Sequence, residues 1–162
     1  MPPTPWSKPA VANPPVRPPA DSPDRSNVIH FDTSFLIDLS REVGGEKPGA
    51  AFELIESLDP AEVLAISVHV VCELRAGAEL SRRPMRELEA VDELLSGFLV
   101  AYPDDRFGPL YGRLLAAATQ AGRTPASMDL LIGTAALIDD APLVTRNVKD
   151  FSRIPGLRVI RY

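Results

Sequence analysis

Residues 127–137 read SMDLLIGTAAL, and this stretch is the strongest indicator of the fold. Its leucines recur at helical spacing, which predicts a buried helix. Ser127 is suited to the N-cap position, and the small residues Gly133, Ala135 and Ala136 would let neighbouring backbone pack closely. Asp129 places one carboxylate in the first turn, where the helix dipole favours negative charge. It is therefore either an acid that stabilises the helix or a ligand.

Apolar runs of strand length alternate with helical segments along the rest of the chain. The predicted strands are residues 27–31, 63–66, 97–101, 143–145 and 157–160. The predicted helices are residues 35–39, 50–58, 68–80, 85–96, 104–121 and 127–137, and the main loops are residues 42–47 and 146–151. This alternation predicts an α/β fold, a three-layer α/β/α sandwich around a central, mostly parallel sheet.

Residues 1–26 differ in composition from the rest of the chain because they contain nine prolines. That density disfavours helix and sheet, so we expect a disordered Pro-rich tail followed by one domain at residues 27–162. No apolar run has the length of a signal peptide or a membrane span, and we expect no membrane association. The single cysteine, Cys72, fits a reducing, cytoplasmic compartment, and we expect it to be buried.

The chain is acidic, with a formal net charge of −5. The tail carries one more basic than acidic residue, so residues 27–162 are more acidic still. Because phosphate binding normally rests on basic surface, such a domain is not an obvious nucleic-acid binder. Phosphodiester chemistry would need positive charge from metal ions, helped by local arginines such as Arg75, Arg113 and Arg146.

Several acidic or amide residues fall where predicted strands end or helices begin. They are Asp32, Glu73, Asp129, Asn147 and Asp150. Parallel α/β sheets place their chemistry at the carboxyl ends of strands, although Asp32 could equally cap a helix and Glu73 could face solvent. Carboxylates that converge repel one another, and a divalent cation with hard oxygen ligands, Mg²⁺ or Mn²⁺, would relieve this.

Four motifs in this order resemble a PIN domain. They are FDTS at residues 31–34, CELRAG at 72–77, DLLIGTA at 129–135 and LVTRNVKDF at 143–151. The length and the closing IPGLRV at residues 154–159 are similar to VapC-type toxins of toxin–antitoxin pairs. The resemblance covers residues 27–162. It implies a Mg²⁺- or Mn²⁺-dependent endoribonuclease that forms a homodimer, cleaves RNA and is held inactive by a small cognate antitoxin.

The same resemblance implies a set of site residues. The metal ligands that the resemblance implies are Asp32, Glu73 and Asp129, together with Asp150 as a fourth acid. Asn147 stands at the usual position of the fourth acid and Asp150 lies three residues further on, so which of them completes the site is open. Thr145 matches a polar residue that could orient a water, or could simply form a hydrogen bond at the strand end.

Two other classes of protein compete with this interpretation. A phosphatase of the haloacid-dehalogenase type also begins at a strand-end Asp, but its pattern has a second Asp two residues later, where Ser34 stands. A PIN-like module that binds RNA or protein with little catalysis is the other alternative, which the amide at Asn147 leaves open. The residues themselves name neither the RNA nor the antitoxin.

Overall fold

The computed structural model describes residues 27–45 and 48–162, so the predicted tail lies outside the described residues. The strands are β1 (Val28–Phe31), β2 (Val63–Ser67), β3 (Leu99–Ala101), β4 (Leu143–Val144) and β5 (Val159–Ile160). The helices are α1 (Thr33–Val43), α2 (Ala50–Ser57), α3 (Val68–Glu79), α4 (Pro84–Leu95), α5 (Phe107–Gln120), α6 (Ser127–Ile138) and α7 (Val148–Phe151). None of the helices in these ranges is long and apolar enough to span a membrane.

The five strands form one parallel sheet in the order β3-β2-β1-β4-β5, which confirms the predicted α/β architecture. Helices cover both faces, as the central strand β1 shows. Side chains alternate between the two faces of a strand. The Phe31 ring packs against Phe35 of α1 with ring centres 4.6 Å apart. On the opposite face, the buried His30 is hydrogen-bonded through Nε2 to Asp139, just after α6, at 2.8 Å.

Helix α6 is the buried helix that the leucine spacing predicts, and seven of its residues are buried. The neighbour of Gly133 is a side chain and not the predicted backbone, since a Cβ there would lie 2.5 Å from the end of the Ile154 side chain. The predicted cap is wrong. Ala126 is the N-cap residue and no side chain caps the helix, because α6 begins at Ser127 and places that serine inside the first turn.

Two other helix ends differ from the prediction because side chains form local contacts. Helix α1 continues to Val43, and the Glu42 carboxylate, expected in a loop, accepts a hydrogen bond from the Phe52 amide of α2 at 2.8 Å. Helix α5 begins at Phe107, later than predicted, because Asp104 instead accepts the Arg106 amide at 3.0 Å and closes a turn.

Two smaller expectations also fail. The predicted loop at residues 146–151 contains α7, whose four residues are too few to show a helical period. Cys72 is exposed rather than buried. It lies two residues from both Val70 and Leu74, and half a helical turn places it on the side of α3 opposite these buried residues.

Candidate active site

The connectivity of the sheet creates a crevice between β1 and β4. From β1 the chain adds β2 and β3 on one side, and then returns to add β4 and β5 on the other. Ligands of open α/β sheets bind beyond the carboxyl ends of the strands at such a reversal. Asp32 directly follows β1, and Thr145 directly follows β4. The topology therefore brings these two residues to one place.

Asp32 is a buried carboxylate, only 3% exposed, with several hydrogen-bond donors around it. The Phe35 amide donates to Oδ1 at 2.9 Å, so Asp32 is the N-cap of α1. The Ser34 hydroxyl lies 2.9 Å from both carboxylate oxygens, and the Thr145 hydroxyl donates to Oδ2 at 2.7 Å. Burial raises the pKa of Asp32, and these hydrogen bonds act in the opposite direction.

The loop after β4 is tied to the same carboxylate through two hydroxyl groups. The Thr145 hydroxyl, which donates to Asp32, also accepts the Asn147 amide at 2.9 Å. The Arg146 amide donates to the Ser34 hydroxyl at 3.4 Å. Thr145 therefore forms the strand-end hydrogen bond considered above, and its partner is a candidate catalytic residue.

Asp129 lies within electrostatic reach of the other candidate acids. Burial raises its pKa most, and the charges of Asp150, Glu73 and Asp32 raise it further. Asp32 after β1, Glu73 of α3 and Asp150 of α7, which are widely separated in sequence, thus all lie within electrostatic range of Asp129 of α6. Because α6 has no side-chain cap, a capping contact does not account for Asp129.

The donor set of this acid cluster fits a hard divalent cation. All four side chains offer carboxylate oxygens, and after burial the charges of Asp150, Glu73 and Asp32 raise the pKa of Asp129. Within the described ranges, no three Asp, Glu, His or Cys side chains already form a group that could hold an ion. Two of the acids are hydrogen-bonded to hydroxyl groups instead. Thr33 donates to Glu73, and Ser34 donates to Asp32.

Two residues beside this cluster were not predicted from the sequence. Asp38 of α1 accepts hydrogen bonds from Arg146 Nη1 at 2.6 Å and from the Tyr162 hydroxyl at 2.8 Å. The Tyr162 ring meets Phe35 edge-on, with ring centres 4.9 Å apart, and burial together with Asp38 raises the pKa of the phenol. Asp38 lies one helical turn after Ser34, a weak signal at best, and no local pattern points to Tyr162.

Comparison with known proteins agrees with the fold and the motifs. Residues 29–157 match the PIN domain family. Ribonuclease VapC2 of Rickettsia felis is 32% identical over 110 residues, which cover 68% of this chain and 82% of that protein. Ribonuclease VapC1 of Haemophilus influenzae strain R2866 is 31% identical over 131 residues, which cover 81% of this chain and 95% of that protein.

Solved structures show the same likeness. VapBC2 from Rickettsia felis, crystallised with a DNA fragment from its promoter, contains a chain with a TM-score of 0.76 at 27% identity, covering 83% of this chain and 98% of that one. VapBC-1 from nontypeable Haemophilus influenzae gives a TM-score of 0.74 at 29% identity, with coverage of 83% and 97%. The chain therefore belongs to the PIN-domain family, as a homologue of the VapC ribonucleases of VapBC toxin–antitoxin systems.

Proposed function

We propose that this chain is the toxin of a toxin–antitoxin pair, a divalent-metal-dependent endoribonuclease that hydrolyses phosphodiester bonds in RNA. The observation that carries the proposal is that Asp129 lies within electrostatic range of Asp150, Glu73 and Asp32, because burial and then the charges of these three acids raise its pKa. The names of the relatives, ribonucleases of the VapC type, support the choice of RNA as substrate.

Each candidate residue has a role in this proposal. Asp32, Glu73, Asp129 and Asp150 would hold Mg²⁺ or Mn²⁺. When bound, such an ion supplies positive charge to phosphate oxygens and lowers the pKa of a water molecule that can attack phosphorus. Thr145 fixes the Asp32 carboxylate through the 2.7 Å hydrogen bond. The side chain of Asn147, two positions after Thr145, is the alternative to Asp150 as the fourth ligand.

The partners follow from the same relatives. The solved structures from Rickettsia felis and Haemophilus influenzae are of VapBC assemblies, in which a VapC-type toxin is found together with its VapB partner. By this analogy the chain pairs with a small cognate antitoxin, and the homodimer rests on the resemblance of its motifs to VapC-type toxins alone. We propose a cytoplasmic location on the basis of the single cysteine.

A cleavage assay tests the function. The purified full chain is incubated with single-stranded RNA in Mg²⁺, in Mn²⁺ and with chelator, beside the variants Asp32→Asn and Asp129→Asn. We expect cleavage only with a divalent ion and a loss of at least about a hundredfold in each variant, the scale on which a missing electrostatic contact lowers enzymatic rates. Asp140→Asn is the matched control, because the Asp140 side chain is 98% exposed.

Two results would contradict this proposal. Cleavage that persists in chelator would exclude a metal-dependent mechanism. RNA binding without cleavage in either ion would favour the alternative, a PIN-like binding module. The phosphatase alternative is already excluded by the family to which the chain belongs.

A further inference from the structure

Arg146 places a cation directly beside the acid cluster. It follows Thr145, whose hydroxyl contacts Asp32, and its own amide donates to Ser34 at 3.4 Å. The base of the side chain is therefore held at the crevice. The side chain itself is 59% exposed, and Nη1 lies 2.6 Å from an oxygen of Asp38.

Asp38, in contrast, is a well-held carboxylate. Its side chain is only 15% exposed, and the oxygen that faces Arg146 also accepts the Tyr162 hydroxyl at 2.8 Å. Tyr162 in turn packs edge-on against the buried Phe35. The other oxygen of Asp38 lies 3.9 Å from Arg41, whose side chain is 75% exposed. The fixed partner in the pair is thus the acid, and the movable partner is the arginine.

The proposed substrate creates an electrostatic problem that this pair can solve. RNA must bring its phosphates to four carboxylates on a chain of net charge −5, so binding needs cations at the crevice. Guanidinium groups bind carboxylates and phosphates with the same planar pattern of donors. A long arginine side chain can exchange one for the other by rotating its own bonds.

We propose that Arg146 binds an RNA phosphate next to the bond that is cleaved, and that Asp38, positioned by Tyr162, occupies Arg146 until RNA displaces it. This inference rests on the proposed function for its substrate. It predicts that Asp38 weakens RNA binding by occupying Arg146, and not by repelling the RNA phosphates directly. If the ion pair had only a structural role, replacing Asp38 would leave RNA affinity unchanged.

RNA binding by the full chain carrying Asp129→Asn provides the test. Fluorescence anisotropy with a labelled single-stranded oligoribonucleotide in Mg²⁺ measures the dissociation constant at several salt concentrations, and a gel verifies that the RNA stays intact. We expect Arg146→Ala to weaken binding about tenfold, the scale of a hydrogen bond to a charged group. The slope of log K against log salt should fall by about 0.7, the value for one phosphate contact with a single strand.

The decisive measurement is the effect of Asp38→Asn in two backgrounds. With Arg146 present, the variant should bind RNA about two- to fivefold more tightly, because the competing ion pair is lost. With Arg146→Ala, the same change should have no effect on affinity. Arg41→Ala, which removes an equal charge from the other side of Asp38, is the matched control and should change affinity by less than about twofold.

Three results would overturn the inference. One is a gain from Asp38→Asn that persists without Arg146, which would show general charge repulsion. Another is an equal loss from Arg41→Ala and Arg146→Ala. The third is an Arg146→Ala variant that binds RNA as tightly as the parent protein. Thermal melts of each variant verify folding. Because the readout is binding, a failure of this inference is separate from a failure of the nuclease proposal, which appears in the cleavage assay.

Discussion

Replacing Asp129 by Asn distinguishes a shared acid site from an ordinary acid in a first helical turn. The change removes one charge at nearly constant shape. Burial and the charges of Asp150, Glu73 and Asp32 raise the pKa of Asp129 in the folded protein. A carboxyl group with a raised pKa stabilises the fold below its ordinary pKa of about 3.9 and loses this contribution as pH rises through the folded value. At neutral pH the ionised Asp129 is therefore destabilising.

The size of the effect follows from linkage. Each unit by which folding raises a pKa corresponds to about 1.4 kcal/mol of unfolding free energy. Because Asp129 is only partly buried and solvent screens its neighbours, we expect Asp129→Asn to gain no more than about 1 kcal/mol at pH 7. For a domain of this size, that is a rise in Tm of roughly 3–4 °C. The gain should shrink as the pH falls through the raised pKa of Asp129, because the wild-type carboxyl group then takes up a proton.

The assay is a set of thermal melts with chelator and with Mn²⁺. An ion that binds only the folded protein adds RT ln(1 + [L]/Kd), about 2.7 kcal/mol at a hundredfold excess over Kd. Wild type should show this rise and Asp129→Asn should lose most of it, whereas the exposed control Asp140→Asn should keep it. If Asp129 served only the helix dipole, the variant would lose about 0.3–1 kcal/mol instead. A destabilised variant that still gains stability from Mn²⁺ would refute the shared site.

Two further predictions concern the tail and the hydroxyl contact. A chain lacking residues 1–26 should keep its Tm and its cleavage activity, because nine prolines leave that segment little to bury; a lower Tm in melts, or lost cleavage, would show that the domain boundary is wrong. Thr145→Val should cost about 1–3 kcal/mol in denaturant unfolding and move the acidic limb of the cleavage profile to higher pH, because the hydroxyl that lowers the pKa of Asp32 is lost. Thr145→Ser should restore both, and a profile that does not move would exclude a role for this hydroxyl at Asp32.

Much of the fold was predictable because its signals are local and periodic. Helix α6 shows its leucine spacing over twelve residues, and β1 is a short apolar run just before Asp32. The position of Asp32 at a strand end then placed it at the edge of the sheet where parallel folds bind ligands. Asp129 could also be anticipated, because it stood in the first turn of a predicted helix, whereas Glu73 lies in the middle of α3 and no boundary marks its position.

The features that the sequence did not show depend on contacts between distant segments. Asp38 and Tyr162 are 124 residues apart, and neither belongs to a repeating pattern that would indicate their hydrogen bond. Glu42 likewise contacts the Phe52 amide of α2, ten residues further along the chain, and no helical period of α1 indicates this contact. Helix α7 was missed for a different reason, because four residues make only one turn.

The two central acids differ in how the protein compensates their charge. Around Asp32, the Phe35 amide and the Ser34 and Thr145 hydroxyls donate hydrogen bonds, and these oppose the rise in pKa caused by burial. Asp32 can therefore cap α1 and also act as a ligand in the site, because the same donors fix its position for both roles. For Asp129, burial and neighbouring acids all act in one direction and raise the pKa. The stability of the metal-free chain should accordingly depend on the charge of Asp129, whereas Asp32 supplies the fixed point to which β4 and the following loop are attached.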